Sequence, residues 1–294
     1  MLFGFNTLSL FKARASAELL SETARCADRL GFDSMWIGHH VIFETVFRST
    51  YPYGPNPLAA DDMRIDTWAT FAFLAGVTKR LRFASGVYLA PLVSPFLTAR
   101  AVATADYLSG GRMILGLGVG WNREEFDMLE QDFTTRGART DEIIDILRRL
   151  FTEETIEHHG RFYNFGPVAF EPKPVQRPWP PMLYGGLSPP ALARAARLEG
   201  CILPTNDLGE IAGALEVIHG HRRELGKANE PFDVTAVAPS PLSREALKPY
   251  ADLGVTRVNF DVGSDALSPG YKPVPMTVEG ITANLTRIAD AVLG

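Results

Sequence analysis

The sequence contains few of the residues that build disulfides or metal sites. Only two of its 294 residues are cysteines, Cys26 and Cys201, and they lie far apart without the spacing of metal ligands. This pattern favours reduced, buried thiols over a disulfide framework or a zinc site. The chain also lacks a Ser-His-Asp signature, a Walker phosphate loop and a zinc motif. We therefore expect no metal, and neither cysteine is a candidate nucleophile.

Long apolar runs and clustered positive charge are missing as well. No segment reaches the roughly 18 unbroken apolar residues that a membrane helix needs, and the first ten residues lack the charged start of a secretion signal. The 29 basic and 34 acidic residues are interspersed, with a net charge of −5, so no basic stripe predicts binding to nucleic acid or to an anionic membrane. The sequence indicates a cytoplasmic protein whose partner is a small molecule.

The chain does contain regular hydrophobic periods, and its 46% hydrophobic content is enough for a large core. Eight short apolar runs, each followed by a helical pattern, predict a single α/β domain over residues 1–294. They favour a (β/α)8 TIM barrel over an open doubly wound sheet. Insertions are predicted after strands 2 and 4, at 44–65 and 157–181, and a loop as long as the first is typical of lids. The predicted strands are 2–7, 32–38, 81–89, 112–122, 182–186, 201–204, 232–238 and 255–262.

The fourth predicted strand, RMILGLGVGWN at 112–122, organises the rest of the interpretation. Every second side chain of a strand shares a face, and one face here carries Ile114, Gly116, Gly118 and Gly120. We expect these glycines to leave a hollow at the carboxyl end of the strand, where barrel enzymes bind ligands and a flat ring fits. The alternative is that they only relieve crowding or form a tight turn. A dinucleotide fingerprint is disfavoured because Trp121 stands where that motif needs glycine.

In a barrel, the loops after the strands carry function. The residues at or near these positions are Asn6, His39, His40, Ser85, Gly86, Val87, Gly118, Gly120, Asn122, Gly185, Gly186, Leu187 and Ser188. The stretch 185–188 opens a helix with free N–H groups and a hydroxyl, which suits a phosphate, although an ordinary helix cap is the alternative. The two histidines stay open as acid–base groups, metal ligands or packed neutral side chains. Metal ligation is disfavoured because no further ligand lies nearby.

Several segments resemble the luciferase-like monooxygenase superfamily, and within it the deazaflavin-dependent branch. They are GFDSMWIGHH at 31–40, the block 81–126, RGARTDEII at 136–144, MLYGG at 182–186 and PMTVEGI at 275–281. The resemblance implies a barrel that binds coenzyme F420, or alternatively FMN, at its carboxyl-end mouth. It implies hydride transfer or flavin-dependent oxygenation, and a homodimer, but no particular substrate. A non-catalytic flavin-binding protein is the alternative of a different class.

The same resemblance implies roles for individual residues. His40 matches the active-site histidine that exchanges a proton. If His40 is only a packed residue, the acid–base group would be Glu124, Glu125 or a hydroxyl of the substrate. The bond between Gly86 and Val87 matches a cis non-prolyl bulge that backs the central ring of the cofactor. Two departures also matter. His39 stands where the branch often has aspartate. Trp121, which is expected to shape the substrate pocket, replaces the catalytic glutamate of the branch's sugar-phosphate dehydrogenases and so disfavours that activity.

Overall fold

The computed structural model describes residues 1–294. The strands are β1 (Leu2–Asn6), β2 (Ser34–Ile37), β3 (Arg82–Ser85), β4 (Tyr88–Leu89), β5 (Met113–Gly118), β6 (Thr155–His159), β7 (Asn164–Ala169), β8 (Met182–Gly185), β9 (Gly200–Leu203), β10 (Asp233–Val237), β11 (Arg257–Asp261), β12 (Ser264–Asp265) and β13 (Lys272–Pro273). The helices are α1 (Leu8–Lys12), α2 (Ala17–Leu30), α3 (Thr67–Ala75), α4 (Pro95–Ser109), α5 (Arg123–Met128), α6 (Arg136–Thr152), α7 (Pro189–Ala196), α8 (Leu208–Glu224), α9 (Arg244–Asp252) and α10 (Val278–Val292).

Eight strands form a closed parallel barrel in the order β1, β2, β3, β5, β8, β9, β10 and β11. β11 returns to pair with β1, where Phe3 lies opposite Val258, and this pairing closes the ring. The two-residue strand β4 follows β3 and pairs with β5 farther along, with Tyr88 opposite Leu117. The predicted (β/α)8 barrel is therefore confirmed, and all eight predicted strands are present in it.

Alternation along β5 sorts its side chains between two cores. Met113, Leu115 and Leu117 belong to the large core between the barrel and the helices, whereas Ile114 packs inside the barrel in a small cluster with Trp36. The glycines of β5 therefore face the barrel interior, as the strand period predicted. Both cysteines are buried and free, which also agrees with the sequence. None of the ten helices has the length and apolar character needed to cross a membrane.

The amino-terminal end of the barrel is closed by a buried ion cluster. The guanidinium of Arg257 donates from Nε to Asp33 Oδ2 at 2.6 Å and from Nη1 to Asp233 Oδ2 at 2.7 Å. The Arg257 side chain has no exposed surface, so both carboxylates compensate a charge that water does not reach. This ion cluster therefore occupies the amino-terminal end of the barrel interior.

The structure corrects the prediction for one insertion and the bounds of two predicted strands. The stretch 157–181 was predicted to be irregular, but β6 and β7 form an antiparallel hairpin that follows α6 rather than a strand. Its turn is held by Glu142, whose carboxylate accepts N–H groups of Phe162 and Tyr163. These are tertiary contacts, so no local period in the sequence announces them. The third predicted strand, 81–89, is also interrupted at Gly86 and Val87, and the fourth ends at Gly118.

Candidate active site

A cavity of about 550 Å³ opens at the carboxyl ends of the barrel strands. Residues at or just after the end of each of the eight barrel strands line it, from Asn6 on β1 to Asp261 on β11. Its volume lies in the range of small-molecule sites. The structure thus has a cavity at the end of the barrel where the barrel rule predicts the site.

The interior-facing glycines of β5 make room for β3 and the residues that follow it, rather than for an open hollow. A Cβ on Gly116 would overlap the carbonyl oxygen of Ser85, and one on Gly118 would overlap the side chain of Val87. A Cβ on Gly185 would lie 2.6 Å from Val87 Cγ1. The expectation of an open hollow was therefore wrong at Gly116, where protein fills the space. Gly118 and Gly185 still line the cavity, and between them they seat Val87.

The bulge after β3 supplies the apolar floor next to these glycines. The peptide bond between Gly86 and Val87 is cis, as predicted. The Ser85 hydroxyl donates to the Gly116 carbonyl at 2.9 Å, and His39 N donates to the Val87 carbonyl at 3.1 Å. Gly86 and Val87 line the cavity, whereas Ser85 lies behind them. The bulge is thus fixed from both sides and presents Val87 to a ligand.

His40 is held by a buried carboxylate that the sequence analysis treated only as a substitute for it. Its Nδ1 lies 2.8 Å from Oε2 of Glu125, a residue with no exposed surface. Glu125 Oε1 also accepts the N–H of Val41 at 2.6 Å. If the carboxylate of Glu125 is ionised it only accepts hydrogen bonds, and His40 then donates from Nδ1, which leaves Nε2 without a partner in the protein. Glu124 and Glu125 lie in the first turn of α5, shortly after the glycine-rich strand β5. That position at the carboxyl end of a barrel strand was the only sequence feature that pointed to this contact.

The ring of His39 has a different environment. It packs against Tyr88, with 4.2 Å between the ring centroids, and its Nδ1 accepts the N–H of Leu89 at 3.4 Å. Burial, and after it the neighbouring His40, lower the pKa of His39 to about 4. His39 is therefore neutral at physiological pH. Its partners, Tyr88 and Leu89, also differ from the carboxylate that holds His40.

The insertion after β2 covers the mouth of the cavity, and we call residues 41–65 the lid. Phe47 stacks on Trp121 at 5.9 Å, and Tyr51 meets the same indole edge-on at 5.3 Å. Ser49 Oγ accepts the N–H of Arg123 at 3.0 Å, which fastens the lid to the start of α5. Tyr51, Tyr53 and Arg64 line the cavity from the lid side. No period in this proline-rich stretch identified these side chains, so sequence reasoning missed them.

The predicted phosphate loop lies at the start of α7, but fewer of its donors are free than expected. Gly186 N donates to the Ile202 carbonyl at 3.1 Å, and Ser188 is the N-cap although its hydroxyl makes no capping hydrogen bond. The Tyr53 hydroxyl covers the loop, 2.9 Å from where a Cβ on Gly186 would stand. Burial raises the pKa of Tyr53, opposed by a hydrogen bond from the Leu187 N–H. Leu187 and Ser188 lie beside the cavity rather than in its wall.

The remaining predicted residues divide between wall and support. Asn6 and Gly120 line the cavity, and Asn6 Oδ1 accepts the N–H of Leu8 at 3.2 Å. Asn122 is buried and caps α5 by accepting the N–H of Glu124 at 3.1 Å. Asn122 therefore fixes the start of α5, the helix that carries Glu125.

Comparison with curated protein sequences shows the family. The model of the luciferase-like monooxygenase family matches residues 1–246. The uncharacterized protein Rv0940c of Mycobacterium tuberculosis is 31% identical over 273 residues, covering 89% of this chain and 94% of that protein. The FMNH2-dependent dimethylsulfone monooxygenase of Pseudomonas putida is 31% identical over 178 residues, covering 60% of this chain and 45% of the enzyme.

Solved structures share the fold. Monooxygenase RslO1 from Streptomyces bottropensis superposes with a TM-score of 0.73 at 23% identity, covering 100% of this chain and 99% of that chain. The coenzyme F420-dependent tetrahydromethanopterin reductase from Methanopyrus kandleri gives a TM-score of 0.65 at 19% identity, covering 81% and 65% of the two chains. With its closed barrel, its bulge after β3 and a family match over most of its length, the chain belongs to the luciferase-like monooxygenase family of oxidoreductases.

Proposed function

We propose that this protein transfers a hydride between coenzyme F420 and a small organic substrate, with His40 as the residue that exchanges the proton. The observation that carries the proposal is the pair of His40 and Glu125, 2.8 Å apart in the same cavity as the apolar floor formed by Val87. A histidine with a fixed tautomer and a free Nε2 suits proton exchange with a bound substrate.

The residues of the cavity fit a flat ring with an anionic tail. Val87 offers an apolar surface that cannot recede, because Gly118 and Gly185 leave no further space behind it. The N–H of Ser188, and that of Leu187 once it releases the Tyr53 hydroxyl, would bind the phosphate that both candidate cofactors carry. Contacts with the cofactor are proposed for Asn6, His39, Gly86, Val87, Gly118, Gly120, Gly185, Gly186, Leu187 and Ser188. Ser85 and Asn122 would act from behind, by fixing the bulge and α5.

The bound deazaflavin would supply the carbon that accepts or gives up the hydride. The chain's own part is to hold the substrate and to move its proton. With Glu125 accepting a hydrogen bond from Nδ1–H, the neutral form of His40 would present the lone pair of Nε2, and the carboxylate would stabilise the imidazolium that forms when a proton arrives. Trp121, packed under the lid, would shape the substrate pocket without taking part in proton chemistry.

FMN-dependent oxygenation is the second candidate. It is supported by the 31% identity to the FMNH2-dependent enzyme of Pseudomonas putida, whereas the F420-dependent reductase shares the fold at 19% identity. The likeness of residues 31–40 and 81–126 to the deazaflavin branch favours F420. A flavin-storage protein is disfavoured, because storage does not need a buried carboxylate that orients a histidine in the cavity.

A homodimer is also part of the proposal. It derives from the family resemblance and is supported by large apolar side chains that α4 exposes, namely Leu97, Tyr107 and Leu108. A sedimentation equilibrium measurement of the molecular mass tests it, and a mass near 32.3 kDa at micromolar concentration would contradict it.

The test of the function is titration with F420 and with FMN, followed by turnover of the better-bound cofactor against a panel of reductants and carbonyl substrates. We expect F420 to bind more tightly, and His40→Ala to lower turnover by about 10²–10⁴-fold with little change in cofactor affinity. Binding of FMN without any affinity for F420 would replace the first candidate by the second. Tight binding without turnover on any panel would favour storage.

A further inference from the structure

The cavity contains one cationic side chain that the proposed chemistry does not use, and it lies on the lid. Only two formally charged residues line the cavity, Arg64 and Asp261. Asp261 is already paired within the protein, because it accepts the N–H and the hydroxyl of Ser9 and the N–H of Gly263. An anionic ligand in this cavity therefore has a single cationic side chain to pair with.

Arg64 is incompletely paired within the protein. Its Nη2 lies 3.3 Å from Asp62 Oδ2, an oxygen that already accepts the N–H of Ala59 at 2.9 Å. Its Nη1 donates to the carbonyl of Met63 at 3.1 Å, and its Nε has no partner although it is enclosed. A guanidinium has five N–H donors, and a buried donor without a partner lowers stability. A small rotation of the side chain would therefore offer donors to a ligand at little loss of internal bonding.

The buried arginine at the other end of the barrel shows what a structural role looks like in this molecule. Arg257 has two carboxylates at 2.6 and 2.7 Å, one from each side. Arg64 has one shared carboxylate oxygen at 3.3 Å and faces a cavity. Each arginine has one enclosed nitrogen without a partner, Nε of Arg64 and Nη2 of Arg257, so the two differ in their carboxylates. Arg64 has one at 3.3 Å and Arg257 has two at 2.6 and 2.7 Å, which leaves the charge of Arg64 less well compensated.

The position of Arg64 relates this anion to the proton-exchanging group. The guanidinium carbon lies 4.9 Å from the centre of the Phe43 ring, and that ring lies 4.6 Å from the ring of His40. Phe43 therefore lies within contact distance of both the guanidinium and the imidazole. Tyr51 and Trp121 line the same cavity and favour a flat molecule.

We propose that the substrate carries a carboxylate or another small oxyanion, and that Arg64 binds this group while the reacting atom lies beside His40. Arginine suits the task because its planar fork pairs with both oxygens of a carboxylate. The inference rests on the proposed function for the chemistry at His40. The anion site itself is a property of the cavity and is testable without turnover.

The test compares benzoate with its neutral isostere benzamide, using calorimetric titration of the whole protein. Wild type is measured beside Arg64→Gln, Arg64→Lys and Arg48→Gln. Arg48 is a matched control, because it lies on the same lid, is 66% exposed and does not line the cavity. We expect wild type to bind benzoate at least about tenfold more tightly than benzamide, the scale of a hydrogen bond to a charged group. Arg64→Gln should abolish that preference, Arg64→Lys should retain part of it, and Arg48→Gln should leave it unchanged.

Equal binding of the two probes by wild type, absent benzoate binding, or unchanged benzoate preference in Arg64→Gln would overturn the proposal. A parallel titration of the same variants with F420 and FMN separates the two sources of an anion. If Arg64→Gln weakens cofactor binding but not benzoate binding, then Arg64 holds the tail of the cofactor and the substrate assignment is wrong. If neither cofactor binds wild type while benzoate still requires Arg64, the proposed function fails and the anion site stands.

Discussion

Replacing Glu125 by glutamine changes one atom of the pair and reverses the tautomer of His40. The carboxylate of Glu125 accepts from His40 Nδ1 at 2.8 Å and from the N–H of Val41 at 2.6 Å. An amide has one acceptor oxygen, so keeping the Val41 bond turns its NH2 group toward Nδ1. Two donors cannot face each other, and His40 is then forced to place its proton on Nε2. The lone pair that faces the cavity is lost.

We expect Glu125→Gln to lower kcat by about 10²–10⁴-fold, the usual contribution of a positioned acid–base group, with a much smaller change in KM. The free energy of unfolding should fall by about 1–3 kcal/mol, because hydrogen bonds to a charged acceptor become hydrogen bonds to a neutral one. Imidazole ¹⁵N chemical shifts report the tautomer directly, with Nδ1–H in the wild type and Nε2–H in the variant.

Glu124→Gln is the matched control for this experiment. Glu124 is the preceding residue on α5 and equally protected from solvent, but its carboxylate approaches Arg48 of the lid at 3.5 Å instead of His40. Its kcat should stay within a few-fold of wild type. Wild-type kcat in Glu125→Gln would refute the reasoning. So would a raised KM with unchanged kcat, because that result assigns Glu125 to the lid rather than to His40.

Three further predictions concern the surroundings of the pair. Because the folded pKa of His39, about 4, lies below its unfolded value near 6.5, the stability from neutral His39 is complete above about pH 6.5 and is lost as the pH falls toward 4. His39→Gln should reduce the fall in unfolding free energy between pH 7 and pH 4.5 by about 2–2.5 kcal/mol, measured by urea unfolding, and an equal fall in wild type and variant would contradict this prediction. Gly118→Ala should lower the unfolding free energy by about 1–3 kcal/mol through overlap with Val87, and the loss should shrink when Val87→Ala is already present; additive losses would disprove the contact. Ser188→Ala should weaken cofactor binding by about 1–2 kcal/mol in a fluorescence titration, whereas unchanged affinity would place the phosphate elsewhere.

The parts of the fold that local rules determine were predictable from the sequence. Caps and glycine stops fixed the helix ends, as where Ser16 accepts the N–H of Leu19 and Gly31 ends α2 with a φ of +90°. The hairpin of β6 and β7 was missed because its turn depends on Glu142. This residue lies on α6, 20 positions before Phe162 of the turn. Contacts of this kind leave no period to detect.

The candidate site divides in the same way. The barrel rule and the resemblance placed His40 and Val87 at the mouth, and the cis bond before Val87 is confirmed. The pairing of His40 with Glu125 spans 85 positions, and Arg64 reaches the cavity only through the path of the lid. Both depend on how loops cross the barrel mouth, and neither hydrophobic period nor turn chemistry specifies that path.

The central claim is that the cavity holds a deazaflavin against Val87 with His40 beside the reacting edge of the ring. A crystal structure of the protein with F420 bound tests this claim most directly. The account predicts that the ring lies on Val87, that the phosphate meets the N–H groups of Leu187 and Ser188, and that His40 Nε2 faces the ring edge. A cofactor bound outside the cavity, or a ring that is turned away from His40, would contradict the claim.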